Sequence, residues 1–128
     1  MSSIEEAIPA NVRMISGCRD EQTSADVSNV STFSLPDPAG RAGGACTSGL
    51  LKILYADQHK PDEDLSFQEV LLKLRDVMSS GRFTQIPQLT SSRPTDVKTP
   101  FTLVPDECTG TKRALLIGIN YIGQQTAI

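Results

Sequence analysis

At 128 residues, with 38% hydrophobic and 21% charged side chains, the chain has the size and composition of one modest globular domain, which excludes a fibrous or disordered polymer. A formal net charge of −3 and a pI near 5.0 leave no basic footprint, which argues against nucleic acid or an anionic membrane surface as partner. No apolar run reaches the roughly 18 residues of a membrane span, the N-terminus lacks the charged-then-apolar order of a secretory signal, and three scattered cysteines without a CxxC pair fit neither a disulfide framework nor a zinc site, so a cytoplasmic protein with reduced thiols is expected.

Residues 1–10 are polar around Ile4-Glu5-Glu6-Ala7-Ile8 and end at Pro9, leaving room for one frayed turn. Val12, Met14 and Ile15 predict the end of a short buried strand over 12–16, and Gly17 stops it. Behind it Arg19, Asp20, Glu21, Gln22, Thr23, Ser24 and Asp26 fall within eight positions. That is more hydrogen-bonding capacity than a plain connection needs. In α/β folds ligands sit beyond the carboxyl ends of strands, so the loop is a site candidate; the alternative is a turn whose polar side chains satisfy only one another.

Residues 29–44, NVSTFSLPDPAGRAGG, carry two prolines and three glycines and predict a long surface loop without regular structure. Residues 45–56 place Cys46, Leu50, Ile53 and Leu54 on one helical face. Gly49 inside that helix costs about 1 kcal/mol against alanine, which is understandable if a strand backbone packs closely on it. After an acidic connection, Ser66 and Glu69 form a capping box and Leu65 and Val70 a hydrophobic staple. Phe67, Val70, Leu71, Leu74, Val77 and Met78 then follow helical spacing, and Gly81 is the expected left-handed terminator. At about 1.5–3 kcal/mol per buried side chain, this face must be docked, and a sheet is the expected partner.

Residues 85–91 alternate Ile86 and Leu89 around Pro87, which places the run at a sheet edge or a bulge. Residues 92–99 read as loop, 101–104 as one further short strand and 105–113 as linker. Residues 114–119, ALLIGI, form a continuous apolar run, the pattern of a strand buried on both faces of a parallel sheet. Such a strand needs a crossover helix that the following residues do not supply, so the chain is expected to be one piece of a larger α/β domain or to lend this strand to another chain.

No complete catalytic set is evident. His59, the single histidine, sits in the acidic connection and reads as a solvated loop residue. No histidine is placed to activate Cys18, and Cys46 reads as core. Asp20, Glu21 and Asp26 could attract a cation or a basic side chain, or merely be solvated. GRAGG at 40–44 lacks the lysine of a phosphate loop.

The strings ISGCRDEQTSAD, AGRAGGACTSGLL, SFQEVLLKLRDVM and QIPQLTSSRP together resemble the small-subunit region of metacaspases, the caspase-like cysteine proteases of plants, fungi, protists and algae. ALLIGINYIG resembles the first strand of the metacaspase large subunit. The likeness spans roughly residues 12–123, and small-subunit before large-subunit order is that of the algal type III metacaspases. It divides the chain into a small-subunit-like region at 1–104, a linker at 105–113 and an incomplete large-subunit start at 114–128.

The resemblance implies a partial caspase-hemoglobinase fold, α/β with a mostly parallel sheet flanked by helices. It implies cleavage after arginine or lysine and activation by calcium. The family's catalytic histidine, near a GHG string, and cysteine, near a DxC string, belong to the large subunit, as do its calcium ligands. No catalytic or metal residue is therefore carried over, and the isolated chain is expected to be inactive without its large-subunit part. By the same likeness Ser24, Ala25 and Asp26 would lie along an extended peptide substrate, with Asp20 and Gln22 close by. Two other readings remain: a non-catalytic regulatory or binding module that pairs with a caspase-like partner, and an unrelated small α/β domain. Lys112-Arg113 reads either as a processing site or as a charged lead-in to the strand.

Overall fold

The computed structural model describes residues 7–27, 29–35, 43–56, 65–105 and 107–117, which form a mixed α/β unit. Strand β1 (Arg13–Ser16) ends just before Gly17. β2 (Asp26–Val27) and β3 (Gly43–Gly44) form a short antiparallel pair, with Asp26 opposite Gly44. β4 (Gln88–Ser91) starts immediately after Pro87 and pairs antiparallel with β1, Ile15 opposite Leu89 and Ser16 opposite Gln88. Ser92 extends that pairing, its N–H donating to the Val12 carbonyl at 2.9 Å and its hydroxyl accepting the Val12 N–H at 2.8 Å.

Both ladders among the described residues are antiparallel, whereas the sequence implied a mostly parallel sheet. The parallel expectation came from the family resemblance and from the apolar run at 114–119. The described part of that run, 114–117, forms no strand, and Leu115, Leu116 and Ile117 are 85%, 88% and 78% exposed. Residues 118–119 lie outside the described set.

The core is built between helices. α1 (Ala45–Leu51) continues as a π-helical turn (Lys52–Ala56), and α2 (Phe67–Ser80) buries Phe67, Val70, Leu74 and Met78 at helical spacing. Leu74 and Met78 join Ala45, Ile53, Val30 and Phe33 in one cluster, with Ile15, Val27, Leu50 and Phe83 packed against it. Gly49 marks the closest approach of the helices: a Cβ there would lie 2.7 Å from Met78 Cε and 3.0 Å from Leu74 Cδ1. Side chains of α2, not a strand backbone, therefore require that glycine. The stretch expected to be irregular contributes to the core as well. A 3-10 turn (Val30–Phe33), started by Asn29 Oδ1 accepting the Ser31 N–H at 2.9 Å, buries Val30 and Phe33. Four residues of 3-10 helix are too short to leave a readable period.

The N-terminus of α2 follows the sequence closely. Ser66 Oγ accepts the Glu69 N–H at 3.2 Å, and the Glu69 carboxylate accepts the Ser66 N–H at 2.8 Å and its hydroxyl at 2.7 Å. These bonds, the one from the Ser66 backbone first, hold the Glu69 carboxyl below its ordinary value. The next two helical amides, on Phe67 and Gln68, donate to the Thr99 and Val97 carbonyls at 3.2 and 2.9 Å. Phe101 donates its N–H to the Leu65 carbonyl at 2.6 Å and sets its ring edge-on to Phe67, centroids 5.0 Å apart. Residues 97–101 are thus a strap across the helix start, which is why 101–104 forms no strand.

At the other end the terminator differs from expectation. Gly81 has φ −75° and ψ 1°, ordinary right-handed values, and Arg82 takes the left-handed conformation at φ 61°. Phe83 N–H reaches the Met78 carbonyl and Arg82 N–H the Ser79 carbonyl, both at 3.0 Å, the bond pair of a Schellman motif. Gly81 is small for a different reason: a Cβ would fall 2.6 and 2.8 Å from the Phe83 ring, which stacks on Phe33 with centroids 6.2 Å apart. No helix among the described residues is long and apolar enough to cross a membrane.

Candidate functional site

β1 delivers the chain into the polar loop at Gly17, and β2 carries it away at Asp26. The loop folds on itself. Gln22 N–H donates to the Arg19 carbonyl at 3.0 Å, Cys18 Sγ donates to the Gln22 carbonyl at 3.1 Å, and Ser24 Oγ donates to Cys18 Sγ at 3.7 Å. A Cβ on Gly17 would stand 2.5 Å from Ser24 Oγ, so a larger residue there would push the Ser24 hydroxyl aside.

Two glutamine side chains fasten this loop to the segment ahead of β4. Gln22 Oε1 accepts the Ile86 N–H at 3.0 Å and the Arg19 N–H at 3.3 Å, while its Nε2 donates to the Thr84 carbonyl at 2.6 Å. Gln85, 3% exposed, reaches back: its Oε1 accepts the Ala25 N–H at 2.6 Å and its Nε2 donates to the Gly17 carbonyl at 3.1 Å. The Ala25 carbonyl accepts the Ala45 N–H at 2.9 Å, tying the loop to the start of α1.

The five residues singled out from sequence therefore divide. Gln22, Ser24 and Ala25 join one network with Cys18, whereas Asp20 and Asp26 are exposed carboxylates that make no ion pair among the described residues. Gln22 spends both ends of its amide internally. Ala25 has its N–H and carbonyl already bonded, so its main chain has no bond to spare for an incoming strand. Side chains that face solvent, those of Asp20, Ser24 and Asp26 together with Arg19, Glu21 and Thr23, are what the loop offers a ligand.

Cys46, at the start of α1, abuts the loop: its Cβ would lie 3.6 Å from a Cβ on Gly17. Partial burial, and secondarily the nearby Cys18, push its thiol up. One tripeptide of D-x-C form does occur, at residues 106–108. Cys108 is exposed, and the tripeptide precedes the 114–119 run, whereas the resemblance puts the family's dyad after it. His59 falls outside the described residues, and Lys112 and Arg113 are exposed. Among the described residues no three His, Cys, Asp or Glu side chains converge as metal ligands.

A cavity of about 640 Å³ is lined by Val12, Arg13, Ile15, Leu50, Phe67, Leu89 and Phe101 among others. It includes no residue of the polar loop and is a gap between apolar faces. The loop itself presents hydroxyl, carboxylate and guanidinium groups on a hydrogen-bonded base, without a nucleophile and base in hydrogen-bond contact. Such an arrangement can bind and orient a polar or cationic group.

Comparison with known proteins bears on this loop directly. The caspase domain model matches residues 2–98, which contain it entirely. Metacaspase III c of Phaeodactylum tricornutum is 59% identical over 123 residues, 96% of this chain and 36% of that protein. Metacaspase-3 of Trypanosoma cruzi is 44% identical over 94 residues, 73% of this chain and 24% of that protein. Metacaspase-1 of Mycosarcoma maydis is 39% identical over 88 residues, 69% of this chain and 18% of that protein. The chain thus spans about a third or less of the length of these relatives.

Proposed function

The chain belongs to the caspase-domain family of peptidases, and on that footing we propose that it forms part of a cysteine endopeptidase of metacaspase type that cleaves after arginine or lysine. In this reading the loop at 17–26 is a wall of the substrate cleft. The nucleophilic cysteine and its histidine base come from a large-subunit part bearing the GHG and DxC strings, and calcium acts there. The observation that carries the proposal is the braced loop: within a stretch matched by the caspase domain model, Asp20, Ser24 and Asp26 stand outward on a base fixed by Gln22 and Gln85. Outward carboxylates suit a cationic substrate side chain, and a fixed base keeps that attraction from being spent on ordering the loop.

A match of 123 residues within 128 must include residues 6–123, so residues 6–104 of the stretch read as small-subunit-like and the 114–117 run both fall within the aligned span of the Phaeodactylum protein. In the proposed reading a boundary at 105–113 separates two regions of one polypeptide.

The test is reconstitution. The chain is combined with a large-subunit part bearing the dyad, with and without calcium, and turnover of an arginine-containing peptide is followed. Turnover that requires both parts supports the reading. No turnover in any such combination refutes it, and a chain that instead alters the activity of an already competent caspase-like partner identifies a regulatory module.

A further inference from the structure

We infer that Gln85 is a positioning residue for peptide binding, setting the loop that carries Ser24 and Asp26; the inference rests on the functional reading above. The argument begins with what Gln85 touches. Its side chain is buried, yet both ends of its amide are used, on Ala25 N–H and Gly17 C=O, which lie 60 and 68 residues away in sequence. Those two backbone groups stand at the start and end of the loop. A single side chain therefore fixes how far the loop opens.

Gln22 crosses in the other direction, from the loop to Thr84 and Ile86. The two amides make four hydrogen bonds between the same two segments, each reaching into the other's backbone. An amide both donates and accepts while neutral, so the clamp is satisfied without burying charge. Residues 84–86 are themselves held on both sides. Phe83 stacks on Phe33 and closes the end of α2, and the carbonyl of buried Pro87 accepts Arg75 Nε at 3.0 Å. The position of α2 is thereby transmitted to Ala25, and Ser24 and Asp26 flank that pinned residue.

A clamp of this kind acts on binding. Loosening it lets Ser24 and Asp26 wander, which weakens ground-state and transition-state contacts alike, while the bond-breaking groups lie in another part of the molecule. The signature is a raised KM at unchanged kcat. In the active combination of this chain with its large-subunit part, Gln85→Met, which removes both neutral hydrogen bonds of the amide, is expected to raise KM for an arginine peptide roughly tenfold or more. Gln22→Met, at a half-buried position, is expected to do the same. It decides the question where the Gln85 variant does not fold. The double variant should cost less than the product of the two, because each single change already opens the clamp. Variants that melt earlier but keep the wild-type KM overturn the inference and leave the functional reading standing, as does a fall in kcat alone. Absence of turnover by the wild-type combination overturns both.

Discussion

Replacing Arg82 by glycine should make the protein more stable, although glycine already precedes it. Arg82 is held at φ 61°, where a Cβ crowds the backbone. For a non-glycine residue that conformation costs about 1–2 kcal/mol, and the added freedom of glycine in the unfolded chain takes back about 0.4–1 kcal/mol. A net gain of about 0.5–1 kcal/mol is expected for Arg82→Gly. Gly81→Ala should go the other way for a different reason. Its φ of −75° suits alanine, but the new Cβ would stand 2.6 and 2.8 Å from Phe83 ring atoms and 3.2 Å from the Val77 carbonyl. The ring is stacked on Phe33 and cannot simply step aside, so overpacking of about 1–3 kcal/mol is the expected loss. Urea unfolding reads both changes as opposite shifts of the midpoint at constant slope, about half a molar for each kcal/mol. A glycine at 82 that leaves the midpoint unchanged or lowers it would refute the assignment of the left-handed position to Arg82.

Gly49→Ala sets a helix-propensity gain of about 1 kcal/mol against overpacking of about 1–3 kcal/mol. The Met78 methyl can swing away, but fully buried Leu74 cannot, so a net loss of about 1 kcal/mol in urea unfolding is expected. Ser66→Ala should cost about 1 kcal/mol at neutral pH through the lost cap. Glu69 has a folded value below its ordinary 4.5, so its contribution is present above 4.5 and fades as the pH falls through the folded value. The gap between wild type and Ser66→Ala in unfolding free energy should therefore narrow on acidification, as the Ser66 hydroxyl bond to the Glu69 carboxylate is lost from the wild type, without closing, since the Glu69 N–H bond to Ser66 Oγ does not titrate.

Local chemistry made the start of α2 legible. Ser66, Glu69 and the apolar spacing behind them specify that helix by contacts within a few residues, and the structure repeats the pattern bond for bond. Gly81 shows where such reading stops. A glycine past a helix suggests a left-handed residue, yet here the demand for space came from Phe83, and the strained conformation moved one position on. Gly49 was legible as a close approach but not as an approach by α2, because its neighbours stand 25 to 29 positions away. The strap at 97–101 was invisible for a similar reason, since it bonds to helix amides that a sequence treats as satisfied by their own cap. The polar loop was legible as a site candidate from its density alone. Gln85 was not, because nothing near it in the sequence distinguishes a buried, doubly bonded amide from an exposed one.

The central claim is that the loop at 17–26 lines the cleft in which a basic peptide lies. The measurement that meets it most directly is photo-crosslinking: an arginine peptide bearing a photoreactive group beside the arginine is bound to the chain combined with its large-subunit part, and the adducts are mapped by mass spectrometry. The account predicts adducts within residues 19–26, displaced by excess unlabelled arginine peptide. Adducts confined to other segments, or insensitive to that competitor, would contradict it.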